Sequence, residues 1–399
     1  MNVLVVADGH YYQTPDGTVY CDSIYDYNFY KRYLTSFDHV YAAIRIEYIQ
    51  EVPQGKKKSS GSNITFLSLP AYRGPVEYIK KYFEIRKCVK KYCSQFNRAI
   101  FRIPAASSNI FSREYAKTGK PFAVEVVIDP WENFGPGTAG NPFINWIVRR
   151  DWTNLVKRMC QKASGASYVT EKYLQEHYPP RALTDKTGKY FTTYYSSVEL
   201  PDDSFAEPKV WQSDQKTFIV SHVSNLFTGY GKGHLELMQA VKIVRDDGYD
   251  VSIRFVGDGP KREEFEEYAL KLGIRNNVHF VGKLPSGQEV RKTINDSDIF
   301  VLPTRAEGLP RALLEAMAEG IPCLSSPVCG IPEVLDKKYL FEFDDIEGYA
   351  KGIERFICDP NLMMLESKNN LEMAKKYSAS ILNDRRTAFY NKLCNIGDT

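Results

Sequence analysis

From about residue 216 onward, short apolar runs alternate with amphipathic segments of helical period, and this alternation restricts the chain to a parallel α/β architecture. Strands are predicted at 218–223, 251–256, 278–281, 299–303, 322–325 and 340–343, with helices at 234–245, 261–272, 286–295, 309–319 and 346–357. Apolar runs without a polar face suit strands covered by helices on both sides, and in such a doubly wound sheet ligands bind beyond the carboxyl ends of the strands. The first half follows a looser version of the pattern. Strands are predicted at 2–7, 40–45, 64–68, 98–101, 123–128 and 168–170, and helices at 27–35, 76–93 and 144–162. A stretch rich in Pro, Asp, Ser and Glu, 199–214, reads as a linker, and 380–394 as a basic helix. With 399 residues the chain exceeds what one hydrophobic core usually supports, so two domains are expected, 1–200 and 201–377.

No apolar run reaches the roughly 18 residues that cross a bilayer, and Met1 to Asp8 reads as a strand rather than a signal peptide, which predicts a cytoplasmic protein. Eight cysteines without a Cys-x-x-Cys pair predict reduced thiols and neither zinc nor a disulfide framework. Charge divides the chain. Through residue 199 there are 27 Lys and Arg against 18 Asp and Glu, and beyond it 25 against 31. The basic half suits an anionic membrane surface or a phosphate-bearing acceptor, and no nucleic-acid partner is expected. Lys56, Lys57 and Lys58, beside Ser59-Ser60-Gly61-Ser62, read as a surface loop. In 78–87 cations interleave with aromatic residues, a pattern that fits a membrane interface and equally an amphipathic helix packed on a sheet.

Two carboxylates carry the functional signal. Glu307 stands just before the turn Gly308-Leu309-Pro310, and Glu315 falls in about the second turn of the helix that follows. Carboxylates accept hydrogen bonds from sugar hydroxyls, while free N–H groups at a helix start attract phosphate oxygens. One such Glu would be ordinary complementation of the helix dipole; two around a turn, directly after an apolar strand, call for a ligand. The segment resembles the Glu-x7-Glu motif of retaining, nucleotide-sugar-dependent glycosyltransferases of family 4. That resemblance implies the GT-B fold: α/β, with two Rossmann-like doubly wound domains facing across a cleft, the first taking the acceptor and the second the nucleotide-sugar donor. It also implies that a helix within 378–399 crosses back onto the first domain. Glu307 would then hold a hydroxyl of the donor sugar and Glu315 the ribose.

Gly229 to His234 follow the first strand of the second half and open a helix, so Lys232 offers a charge to phosphate. The run resembles the family's Lys-Gly motif. Where the family usually carries a phosphate-binding Arg, this chain has Asn225, and Arg305 is the candidate to replace that charge. Gly257 and Gly259 in Gly-Asp-Gly-Pro resemble the turn that admits the nucleotide; Arg262 stands where a nicotinamide fingerprint needs its third glycine, which counts against a dehydrogenase. Lys283 matches the position whose backbone reads the base, and Gly330 the loop whose amides meet the phosphates. Gly17 resembles the family's glycine loop, although Asp-Gly is also any turn. Asp129, at a strand end, is favoured over Glu125, in mid-strand, as the acceptor-side polar residue. Asp296 and Asp298 mimic a metal motif but precede a strand as an ordinary turn.

The implied activity moves a sugar from a nucleotide diphosphate donor to a hydroxyl acceptor with retention, without metal or cofactor, with Glu307, Lys232 and Asp129 as the catalytic candidates. The basic half points to a lipid-linked saccharide acceptor in bacterial surface polysaccharide synthesis, and to peripheral association with the inner membrane face. An epimerase or phosphorylase of the same fold and a non-catalytic nucleotide-sugar binder are the alternatives.

Overall fold

The computed structural model describes residues 1–397 apart from 23, 53–54, 73, 136–140 and 285–286, so the helix start expected at Ser286 lies outside the described residues. The chain forms two compact units. One comprises Met1–Trp131, Ile147–Tyr195 and Asn383–Thr399, the other Glu132–Trp146 and Ser196–Leu382.

In the first unit the strands are β1 Asn2–Val6, β2 Tyr11–Gln13, β3 Val19–Cys21, β4 His39–Tyr48, β5 Lys57–Lys58, β6 Ile64–Leu69, β7 Ala99–Ile103, β8 Phe122–Val126, β9 Gly165–Tyr168 and β10 Phe191–Tyr194. Their order is β10-β9-β8-β7-β1-β4-β2-β3-β5, with β6 also pairing with β4. The central pairs are parallel and the short β2–β3 hairpin is antiparallel. Strands β7 and β8 are buried at every position, as expected of strands sandwiched between helices. Ile85, Val89 and Cys93 form the inward stripe of the helix Gly74–Gln95 and share one core with Phe111, Leu155 and Met159. The helix Ala379–Cys394 joins this unit from Asn383 onward.

The second unit has β11 Thr217–Leu226, β12 Asp250–Asp258, β13 Val278–Gly282, β14 Ile299–Leu302 and β15 Cys323–Ser325, all parallel in the order β13-β12-β11-β14-β15. Helices His234–Asp246, Arg262–Lys271, Gly287–Asn295, Arg311–Ala318 and Ile346–Cys358 follow the strands. The strand order reverses between β11 and β14. At such a reversal the loops leaving the two neighbouring strands turn to opposite faces of the sheet, which opens a crevice at their carboxyl ends.

Three expectations need correction. The strand expected at 340–343 reduces to a single bridge between Leu340 and Ser325, because the chain turns at once into the Asp345 cap of the next helix. A helix at Pro360–Lys375 was not expected, although Asp359 caps it by accepting from the Leu362 amide and Pro360 sits at its permitted first position. The stretch 199–214 is no free linker. Ala206 donates its amide to Ala318 O at 3.0 Å, Lys209 to Ser367 Oγ at 2.9 Å, and Trp211 Nε1 reaches Asp298 Oδ1 at 2.9 Å, which straps it to the second unit.

Candidate active site

The loops after β11 and β14 meet at the reversal point. Gly233 has φ 70°, and a Cβ there would come within 2.1 Å of Pro303 O, so only glycine lets the two loops touch. The Arg305 amide donates to Gly231 O at 3.0 Å, fixing the same contact from the other side. Held this way, Lys232 Nζ forms an ion pair with Glu307 and donates to Ala306 O at 3.2 Å. A third loop joins them: Gly330 donates its amide to Gly308 O at 2.9 Å, and Thr304 donates to Ser326 Oγ at 2.6 Å. The structure thus gathers Lys232, Glu307, Gly308 and Gly330 from three strand ends.

The helix Arg311–Ala318 begins beside this cluster with Pro310 as its N-cap and no side-chain cap, so the N–H groups of its first turn are left for a ligand. Leu309 is buried and anchors the entry turn. Glu315 lies in the second turn. Burial pushes its carboxyl above the ordinary range despite the opposing pull of Arg311 and Arg291, and among the described residues its carboxylate takes no hydrogen bond. A half-buried carboxylate without a donor is poised for hydroxyl groups.

Other candidates stand apart from the Lys232–Glu307 pair. Asn225 is exposed at the end of β11 and Lys283 just past the edge strand β13. Arg305 lies with its guanidinium 3.8 Å over the Phe343 ring. Gly257 and Gly259 have φ 131° and 159°, and a Cβ on them would meet Ser224 O at 1.6 Å and Phe227 N at 2.7 Å; their lack of a side chain admits the neighbouring backbone of β11. Asp298 accepts from Trp211, Gln215 and the Ile219 amide, so its carboxylate is committed to the fold.

In the first unit Asp129 is only 1% exposed and accepts from the Trp131 amide at 2.8 Å, Tyr173 OH at 3.1 Å and Tyr178 OH. Gly17 (φ 84°) forms the tip of the β2–β3 hairpin, where Asp16 closes the turn by accepting from Thr14 and Thr18.

Sequence reasoning missed the histidines beneath the Lys232 loop. Lys232 O can only accept, so His222 Nε2 carries the proton in their 2.6 Å bond. His234, the first residue of its helix, stacks on Phe265 with centroids 4.5 Å apart. Burial pushes their pKa values down to about 4 and about 2, so both rings stay neutral and add no charge beside Lys232. Each appears in the sequence as an isolated histidine, and only the fold stacks them.

A sequence model described as glycosyl transferases group 1 matches residues 203–377, the segment that carries every feature of the site in the second unit. That segment is a group 1 glycosyltransferase domain. The chain is similar to protein CapJ of Staphylococcus aureus, with 28% identity over 385 residues, covering 94% of each chain. It is also similar to the Vi polysaccharide biosynthesis protein VipC/TviE of Salmonella typhi, with 30% identity over 212 residues, 49% of this chain and 31% of that one. Among solved structures it resembles sucrose-phosphate synthase from Thermosynechococcus elongatus, with TM-score 0.71 and 14% identity, covering 98% of this chain and 99% of the other. The fold of the chain is therefore GT-B.

Proposed function

We propose that this glycosyltransferase moves a sugar from a nucleoside diphosphate donor, with retention and without a metal, to a hydroxyl of a lipid-linked saccharide during bacterial surface polysaccharide synthesis. The observation that carries the reading is the Lys232–Glu307 pair at the strand-order reversal, beside an uncapped helix start. Lys232 neutralises the departing diphosphate, Glu307 orients the donor sugar through a hydroxyl, Glu315 holds the ribose, and the first N–H groups of Arg311–Ala318 take phosphate oxygens. The helix-start N–H groups, with the Lys232 ammonium once the donor sugar engages Glu307, supply the stabilisation that a divalent ion supplies elsewhere. The bond from the anomeric carbon to diphosphate breaks as the acceptor oxygen attacks from the same face, and the acceptor proton passes to the departing phosphate oxygen. The first unit takes the acceptor, with Asp129 as the acceptor-side residue proposed from the sequence. Likeness to the Vi polysaccharide biosynthesis protein supports the surface-polysaccharide setting.

Thermal-shift measurements with uridine, guanosine and adenosine diphosphate sugars test the reading. One base should stabilise the protein by about 2.7 kcal/mol at 100 times its dissociation constant, and an unchanged melting temperature with every donor would sink it.

Membrane association is proposed on the helix Gly74–Gln95. Its core stripe is inward, yet Val76, Ile79 and Phe83, the last 80% exposed, line the outer face with Lys80, Lys87, Lys90 and Lys91. Among the described residues no helix is long and apolar enough to cross a membrane. Flotation with vesicles rich in anionic lipid should capture the protein at low salt and release it as screening rises, with Phe83→Asp weakening capture. Equal flotation with purely zwitterionic vesicles would refute the assignment.

A further inference from the structure

The first unit contains a second polar constellation that none of the proposed residues accounts for. Strands β7, β1 and β4 are neighbours in the sheet and run parallel, so their carboxyl ends open on one edge. Asp8 lies two residues past β1, Arg45 lies within β4, Tyr72 follows β6, and Ser107 is in the first turn of the helix Ala106–Tyr115 after β7. Four elements thus bring these side chains to one place. Asp8 Oδ1 accepts from Arg45 Nε at 3.1 Å, Arg45 Nη2 at 2.7 Å and Ser107 Oγ at 3.3 Å. Among the described residues Asp8 Oδ2 accepts only the Ser107 amide, at 3.3 Å, and keeps room for another donor. Arg45 Nη1 donates to Tyr72 O at 3.3 Å, and its guanidinium lies 4.4 Å from the centre of the Tyr72 ring.

Tyr72 itself is 8% exposed, and its hydroxyl is buried without a hydrogen-bond partner. Its ring packs under the Arg45 guanidinium, and burial first and then the Asp8 charge push its pKa up while Arg45 and Ser107 pull it down. Two residues beyond Ser107 along the same helix, Asn109 uses its Oδ1 to accept from the Ala105 amide, while its buried Nδ2 has no partner among the described residues. An orphaned buried donor costs about 1–3 kcal/mol, and two at the ligand-bearing edge of a parallel sheet mark groups awaiting a partner.

We infer that Asp8, Arg45, Tyr72 and Ser107 form a saccharide subsite that holds a hydroxyl pair of the acceptor. The inference rests on the transferase reading and adds the residues that receive the acceptor. Charge decides the ligand class. Asp8 and Arg45 neutralise each other, so a bare phosphate gains no net attraction, whereas a sugar hydroxyl both donates to Asp8 Oδ2 and accepts from Tyr72 OH. Arg45 and Ser107 are positioning residues: they fix the orientation of the Asp8 carboxylate before the ligand arrives.

Saturation-transfer NMR with methyl α- and β-glucoside, methyl galactoside and methyl N-acetylglucosaminide tests this on the full chain. At least one glycoside should receive saturation from the wild-type protein. Tyr72→Phe and Asp8→Asn should each lower that signal by about threefold or more, the worth of one hydrogen bond. Tyr72→Phe is the informative variant, because it keeps the buried ring and its packing, so the melting temperature and the nucleotide-sugar shift should stay close to wild-type values. Full signal in both variants, absence of signal from every glycoside, or displacement of the glycoside by inorganic phosphate would each overturn the subsite. Failure of the nucleotide-sugar shift in the wild-type protein would overturn the transferase reading separately, while a Tyr72-dependent glycoside signal would still stand.

Discussion

Replacing Lys232 with alanine is expected to lower sugar-transfer turnover by a factor of at least about 10², the usual loss when a well-placed electrostatic group is removed from a transition state. Glu307→Gln should cost a similar factor, since the donor sugar would lose the carboxylate that orients it. Neither change should do much to the fold. Both side chains are only partly buried, and an ion pair in that setting contributes about 0–1 kcal/mol. Activity and stability therefore separate, which a purely structural role for the pair does not permit. The double variant sharpens the distinction: removing both partners relieves any uncompensated charge, so a structural pair would recover, whereas a catalytic pair stays inactive. Near-normal turnover in both single variants would defeat the assignment.

The site in the second unit was legible because its signals are local. A glycine-rich loop after one strand, and a Glu-Gly-Leu-Pro turn with its helix start after another, are each contiguous runs of a few residues, and the alternation of strand and helix sets where they fall. The ion pair between Lys232 and Glu307 was not legible, since no sequence rule states that strands 75 residues apart are neighbours. The same limit explains the rest. The hairpin at Tyr11–Gln13 and Val19–Cys21 is two three-residue strands that become strands only by extending the end of β4. The strap at 206–211 has linker composition yet is held by one backbone carbonyl and two side chains from three distant elements. Asp8, Arg45, Tyr72 and Ser107 are scattered over a hundred residues and meet only at the carboxyl edge of a sheet.

Glu125 illustrates the difference between a buried carboxylate that awaits a ligand and one that is already spent, and its replacement by alanine should destabilise the protein by about 3–5 kcal/mol. It faces Arg102 across the β7–β8 register and is 2% exposed. Oε2 accepts from Arg102 Nη1 at 2.8 Å and Tyr33 OH at 3.1 Å; Oε1 accepts from Tyr195 OH at 2.9 Å and from Tyr390 OH at 2.7 Å, the last on the helix Ala379–Cys394. Removing the carboxylate strands three buried phenols and a guanidinium, and loosens the final helix from β8. Burial by itself would raise the pKa of Glu125, but Arg102 and then Arg32, with the phenol donors, bring it down to about 2 from the usual 4.5. Because the folded value lies below the unfolded one, the contribution is complete above about pH 4.5 and drains away as pH falls toward 2. Denaturant melts of the wild type should therefore lose up to about 1.4 kcal/mol per pH unit from this group between pH 4 and 3, a component that Glu125→Gln lacks. Parallel stability curves for the two proteins over that range would show that Glu125 does not fasten the last helix through its charge.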